Sequence, residues 1–221
     1  MKSSGAVFLD LDGTLVDTTY LHTYAWWRAL DDAGEGIPMA DVHPLIGMGS
    51  TELLTTLLGH SDDSISEAHG RYFAGLHPLV RALPGADDLV RRLHASGTEV
   101  VVVTSAKERD LGALLGALTS RTEIDRVIHG EEADRAKPAP DLFEMALERV
   151  GQDPSACLAL GDAVWDIQAA AKANLSCIGL LTGGVDRHAL QAAGALAVYR
   201  NCAELLDEWE ASPLPALASG R

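Results

Sequence analysis

The sequence predicts an α/β fold: a doubly wound parallel sheet carrying an inserted α-helical unit. Three observations predict it. Short apolar runs at 6–10, 99–104, 127–129, 157–161 and 176–180 show little polar alternation, as strands do when both faces of a parallel sheet are covered. Patterns of helical period lie between the later runs, the order that builds βαβ units. The stretch 14–84 holds no strand-like run, is too long for an ordinary crossover, and is therefore read as an insertion.

Taken in order, the first run leads from Ala6 straight into Asp10. The insertion is expected to hold helices over 20–33, 40–46, 51–58 and 64–76, with Gly- and Pro-containing breaks at 34–38, 47–50 and 59–63. Beyond it, 86–96 puts Leu89, Val90 and Leu93 on one face and stops at Gly97. Further helices are expected over 141–150, 167–173 and 188–193. Segments 1–15 and 84–211 then form the sheet-bearing core, and 16–83 forms the helical cap. The small-residue tail, 212–221, reads as disordered.

Bulk properties narrow the function. Among 221 residues, 47% are hydrophobic, enough for a sizeable core. Lys and Arg number 17 against 32 Asp and Glu, a net charge of −15. That balance argues against nucleic acid or an anionic membrane surface as partner, since both need clustered cations. Cys157, Cys177 and Cys202 form no CxxC pair and read as buried, reduced small hydrophobes, which fits a cytoplasmic protein. The N-terminus does not read as a signal peptide, and no apolar run approaches a membrane span. The eight histidines include no HxH or HxxxH pair, which disfavours zinc.

Ligands of open α/β sheets bind beyond the carboxyl ends of the strands, and the residues expected there are Asp10, Thr104 and Asp162, with Asp12 just past the first. In Asp10-Leu11-Asp12-Gly13-Thr14-Leu15-Val16-Asp17, a carboxylate ends a buried strand, which is costly unless it is paired or metal-bound. Such a carboxylate can attack phosphorus. A second one two residues on can protonate the leaving oxygen and then activate water. Thr104-Ser105 offers a hydroxyl and backbone N–H groups to a phosphate, although a Thr there also suits a helix cap. Lys137, in Lys-Pro-Ala-Pro, is a cation in a stiff loop, able to offset the acids around an anionic substrate; by itself it reads as a surface lysine, and beside the other motifs it does not. Asp162 and Asp166 stand four apart at a strand-to-helix junction, where they suit either helix capping or a hard cation such as magnesium.

These four segments, in this order, resemble the haloacid dehalogenase superfamily over nearly the whole chain. The resemblance implies a Rossmann-like core with a helical cap between the first and second motifs. It implies Asp10 as nucleophile and magnesium ligand, and Asp12 as acid/base whose carbonyl also binds the metal. Thr104 and Ser105 would hold the phosphoryl group, Lys137 would stabilise charge, Asp162 would bind the metal directly, and Asp166 would bind or orient its waters. Gly13, Thr14, His22 and Gly47 complete the candidate substrate contacts, and Asp17 would steady the cap hinge. The substrate would be a small phosphorylated metabolite.

Within the superfamily, dehalogenases lack the acid at position 12, and phosphonatases need a cap lysine that 15–83 does not contain. The branch resembling phosphoglycolate phosphatase and β-phosphoglucomutase remains. The uncharged loop Ile46-Gly47-Met48-Gly49-Ser50 favours phosphatase over mutase, unless Arg28, Arg71 or Arg81 reaches the site. A catalytically silent binding relative would be expected to have lost one of Asp10, Asp12, Lys137 or Asp162, and all four are present.

Overall fold

A computed structural model describes residues 5–218. The strands are β1 (Ala6–Leu9), β2 (Glu99–Val103), β3 (Arg126–Ile128), β4 (Cys157–Gly161), β5 (Ser176–Leu180) and β6 (Ala197–Tyr199). They form one parallel sheet in the order β3-β2-β1-β4-β5-β6. The register sets Leu9 beside Val102 on one side and Leu160 on the other, so β2 and β4 each run one residue past the end of β1. The order reverses at β1, which opens a crevice between its end and its neighbours' ends.

Alternate side chains of each strand serve opposite faces. Val7, Leu9, Val100, Val102, Leu158 and Leu160 join one buried cluster; Ala6, Phe8, Val101, Val103 and Ala159 join another. The first is covered by α5 (Ala86–Ala95) through Leu89, Val90 and Leu93, and by α10 (Cys202–Asp207) through Cys202 and Leu205. The second is covered by α7 (Asp141–Val150) through Leu142, Phe143 and Ala146, and by α8 (Val164–Lys172) through Ile167, Ala169 and Ala170. Helix α5 also has Asp87 and Asp88 in its first turn and Arg92 and His94 in its last, matching the helix dipole at both ends. The three cysteines are free and buried.

Between β1 and β2 lie α1 (Thr19–Asp32), α2 (Met39–Val42), α3 (Ser50–Leu58) and α4 (Asp63–Leu76). They bury a cluster of their own: Trp26, Ala29 and Leu30 of α1, Leu53 and Leu54 of α3, Ile65 and Ala68 of α4. The three- and four-residue spacings in α1 and α4 place these side chains on one helix face. Asp62 caps α4, accepting from the Ser64 and Ile65 amides. The segments entering and leaving this unit run side by side: Leu83 N–H donates to Leu15 O and Asp17 N–H to Arg81 O, both at 2.9 Å, flanking an antiparallel Val16–Ala82 bridge.

The structure corrects the sequence reading in three places. The tail expected to be disordered from 212 folds back instead: Leu214 and Leu217 are 1% and 7% exposed within the first core cluster, and Pro215 opens the turn α11 (Pro215–Ala218). Proline suits a first helical position, and the two leucines three apart share one face. Residues 219–221 of that expectation lie outside the described residues. Strand β6 was too short to read, and α6 (Glu108–Gly116) and α10 were not anticipated. The expected helix over 40–46 is a single α turn followed by a 3-10 turn, His43–Leu45, because Pro44 cannot donate to a continued helix.

Candidate active site

The ends of β1, β2 and β4 bring the four sequence segments to one place. Lys137 Nζ lies 2.6 Å from Asp10 Oδ1, 2.8 Å from Asp166 Oδ1 and 2.9 Å from the Val103 carbonyl, which accepts from it. The lysine is only 1% exposed, so its stiff loop delivers a cation to the interior, where it is worth far more than at the surface. Burial would lower its pKa, but Asp10 and Asp166 outweigh that and raise it, so Lys137 is charged.

Asp10, Asp162 and Asp166 each bring a carboxylate oxygen within 4.8 Å of the other two, and all are buried. Asp162 stands just before α8 and Asp166 in its first turn, where Asp166 Oδ2 accepts from Ala163 N–H at 3.1 Å. Asp162 Oδ1 accepts from the Thr14 hydroxyl at 2.7 Å. Burial pushes the Asp10 carboxyl up to about 7, against the pull of Lys137. Burial and the neighbouring Asp166 and Asp10 push Asp162 well above the ordinary carboxylate range. Although Asp166 Oδ1 is close to Lys137, it has no aligned hydrogen bond. Three buried acids against one ammonium leave negative charge that a hard dication fits, and magnesium is bound by few carboxylates with water completing its shell.

Asp12 is held differently. The Thr18 hydroxyl donates to its Oδ1 at 2.6 Å, and His22 Nε2 lies 3.2 Å from the same atom. Burial would raise its pKa, but the charge and hydrogen bond of His22 and the hydroxyl of Thr18 prevail and lower it. The two carboxylates of the site are thus held by different partners, Asp10 by Lys137 and Asp12 by Thr18 and His22.

A cavity opens from these groups toward the cap, with about 70 Å³ open to the centres of water molecules. Asp10, Asp12, Thr104 and Ser105 form its floor, while His22, Ile46, Gly47, Met48 and His69 come from the cap. Thr104 does not cap a helix: its Oγ1 accepts from Ala106 N–H at 3.0 Å, and α6 begins only after Lys107. The cap is docked on the core around the rim. Ser105 donates to Gly47 O at 3.3 Å, Trp165 Nε1 to Pro44 O at 3.1 Å, and His43 Nε2 to Gly183 O at 2.9 Å.

Two expected substrate contacts sit elsewhere. Gly13 and Thr14 do not line the cavity; they lie behind the carboxylates. Gly13 has φ +79°, and a Cβ there would stand 2.3 Å from Asp162 Oδ2, so the turn needs glycine to let Asp162 in. None of the cap arginines Arg28, Arg71 and Arg81 lines the cavity: Arg28 pairs with Asp31 and Asp32, Arg71 is exposed, and Arg81 donates to the Pro78 and Val80 carbonyls. Lys137 lies beneath the cavity, bound to Asp10, and the lysine and arginine that line it are Lys107 and Arg109 of the core. Sequence reading missed these two, Thr18 and His69. The available signal for His69 was the helical spacing of His69, Phe73 and His77 opposite that of His22 and Trp26.

This parallel sheet, with its acids at the strand ends and a helical cap above, defines a class, and sequence comparison bears on the same class. The profile of the haloacid dehalogenase-like hydrolases matches residues 5–174, and the chain belongs to that family. Among individual proteins, it is 30% identical over 190 residues to a phosphoglycolate phosphatase of Pseudomonas putida, covering 80% of this chain and 69% of that one. It is 29% identical to a probable pseudouridine-5'-phosphatase of Drosophila melanogaster, covering 90% and 92%. A crystal structure of a hydrolase from Pseudomonas syringae superposes with a TM-score of 0.88 at 33% identity, covering 94% and 98%. No helix among the described residues is long and apolar enough to cross a membrane.

Proposed function

We propose that this chain is a magnesium-dependent phosphatase of a small phosphomonoester, working through an aspartyl-phosphate on Asp10. The observation that carries the reading is the pairing of one buried carboxylate bound to Lys137 with a second, separately held carboxylate on the floor of one cavity. Phosphatases among the relatives support the same class of substrate.

Asp10, Asp162, Asp166 and the backbone at Asp12 would hold magnesium, which when bound supplies charge neutralisation to the phosphoryl oxygens. An Asp10 oxygen attacks phosphorus, a P–O bond forms, and the ester P–O bond breaks. The leaving oxygen takes a proton from Asp12. Water then attacks the aspartyl-phosphate, Asp12 takes its proton, and phosphate leaves with Asp10 regenerated. Throughout, Lys137 neutralises Asp10 and the transferring group, while Thr104 and Ser105 place hydrogen-bonding groups at the phosphoryl site. The small cavity and the apolar Ile46 and Met48 favour a small metabolite over a polymer, and a cytoplasmic location fits reduced, buried thiols.

The test is phosphate release from p-nitrophenyl phosphate and a panel of phosphorylated metabolites, with magnesium and with EDTA, for the wild type and Asp10→Asn. Release that requires both magnesium and Asp10 supports the proposal. Isomerisation of a sugar phosphate stimulated by a bisphosphate would assign a mutase instead, and magnesium binding with no turnover would assign a silent relative.

A further inference from the structure

The hydrogen bonds at Asp12 continue into the cap. A carboxylate can only accept, so His22 Nε2 donates to Asp12 Oδ1 across 3.2 Å, onto the same oxygen that takes the Thr18 hydroxyl. The other nitrogen of that ring, Nδ1, lies 3.1 Å from His69 Nε2. His69 comes from α4 and lines the same cavity as Asp12. Its ring lies nearly parallel to that of Trp26, 9° between planes and 4.0 Å between centroids, while Phe73 stacks on His22 at 3.7 Å. Both imidazoles are thus clamped by aromatic faces with their nitrogens aligned.

His69 is kept neutral: burial holds its pKa well below the ordinary value, and His22, Lys107 and Arg109 add to that. A neutral imidazole carries one N–H and can place it on either nitrogen. With Nε2–H of His22 directed at Asp12, its Nδ1 faces Nε2 of His69, and a hydrogen shared between those two nitrogens fixes the orientation of the His22 ring.

We infer that His69 is a positioning residue for the acid/base step, holding His22 so that Asp12 Oδ1 stays engaged and Oδ2 exchanges the proton with the leaving group and water. The inference rests on the phosphatase reading. It differs from simple core packing in what it requires: a hydrogen-bonding group at 69 facing His22 Nδ1, where packing requires only volume.

The experiment uses the full chain as wild type, His69→Leu, His69→Gln, His22→Leu and the double His22→Leu/His69→Leu variant. With magnesium, kcat/KM is measured on p-nitrophenyl phosphate, whose leaving group needs no proton, and on an alkyl phosphate, whose leaving group does. His69→Leu is expected to lose about 10-fold or more on the alkyl ester, a part of what acid/base catalysis supplies, and to lose markedly less on the aryl ester. Gln, whose amide both donates and accepts, restores most of the loss. The double variant is no worse than His22→Leu, since one residue acts through the other. Nitrogen-15 spectra of the imidazoles in the resting protein check the contact without turnover: the hydrogen-bonded Nε2–H signal of His22 is expected in the wild type and His69→Gln and lost in His69→Leu. Equal losses on both esters, additive effects in the double variant, or an unchanged His22 signal in His69→Leu would each overturn the inference. Wild-type turnover of the aryl ester reports separately on the phosphatase reading.

Discussion

Replacing Asp10 by Asn should make the metal-free protein more stable than wild type at alkaline pH, and the gap should close as pH falls. Asp10 has an ordinary value of 3.8 when unfolded and about 7 in the folded protein, raised mainly by burial. Between those values the folded state binds more protons than the unfolded one, so stability is lost as pH rises and the loss is complete above about 7. From about pH 5 to pH 8 the window contains roughly two units, each about 1.4 kcal/mol, so Asp10 accounts for about 3 kcal/mol. Asn keeps the shape without the charge. Urea denaturation of both proteins in EDTA across this range gives the difference directly, and comparing the pair cancels histidine titration common to both. Excess magnesium should stabilise the wild type at pH 8 and largely remove the gap, since 100-fold excess over Kd contributes about 2.7 kcal/mol. A gap independent of pH, or wild type gaining on the variant as pH rises, would refute the reasoning.

Lys137→Met should cost about 3–5 kcal/mol near neutral pH by leaving buried acids unpaired, and should abolish turnover; thermal melts and phosphate release check both. Gly13→Ala forces φ +79° on a residue with a Cβ and drives that Cβ into Asp162, so magnesium affinity by calorimetry should fall, with stability lower by about 1–3 kcal/mol. Leu214→Ala should destabilise by about 2–4 kcal/mol in denaturant titrations, as a core leucine does; a change near zero would return 212–218 to the status of a loose tail.

The parallel sheet was legible because its strands are buried on both faces. An uninterrupted apolar run such as Val100–Val103 has few other stable uses, and the acids ending such runs stand out because burying them is costly. Asp10 and Asp162 could therefore be picked out from residue type and position, with Asp12 and Asp166 close behind them, while Lys137 gained its meaning only beside these acids. The tail was misread because Leu214 and Leu217 sit among small residues and prolines, and two apolar side chains give no periodicity until the groove that receives them exists. Gly13 and Thr14 were placed against the substrate because adjacency in sequence to Asp12 does not say which way a turn faces.

The amino-acid sequence determined the layering of the sheet, the helical insertion and the identity of the chemical groups, since each follows from local pattern and from the cost of burying charge. Only the tertiary structure decided which of those groups meet: Lys137 crosses 127 positions to reach Asp10, and Thr14 crosses 148 to reach Asp162. It also decided that Lys107 and Arg109, not the cap arginines, face the cavity, and that His69 backs His22. Such pairings are set by how two helices or two loops pack across a cavity, a geometry that the spacing of residues along one element does not contain.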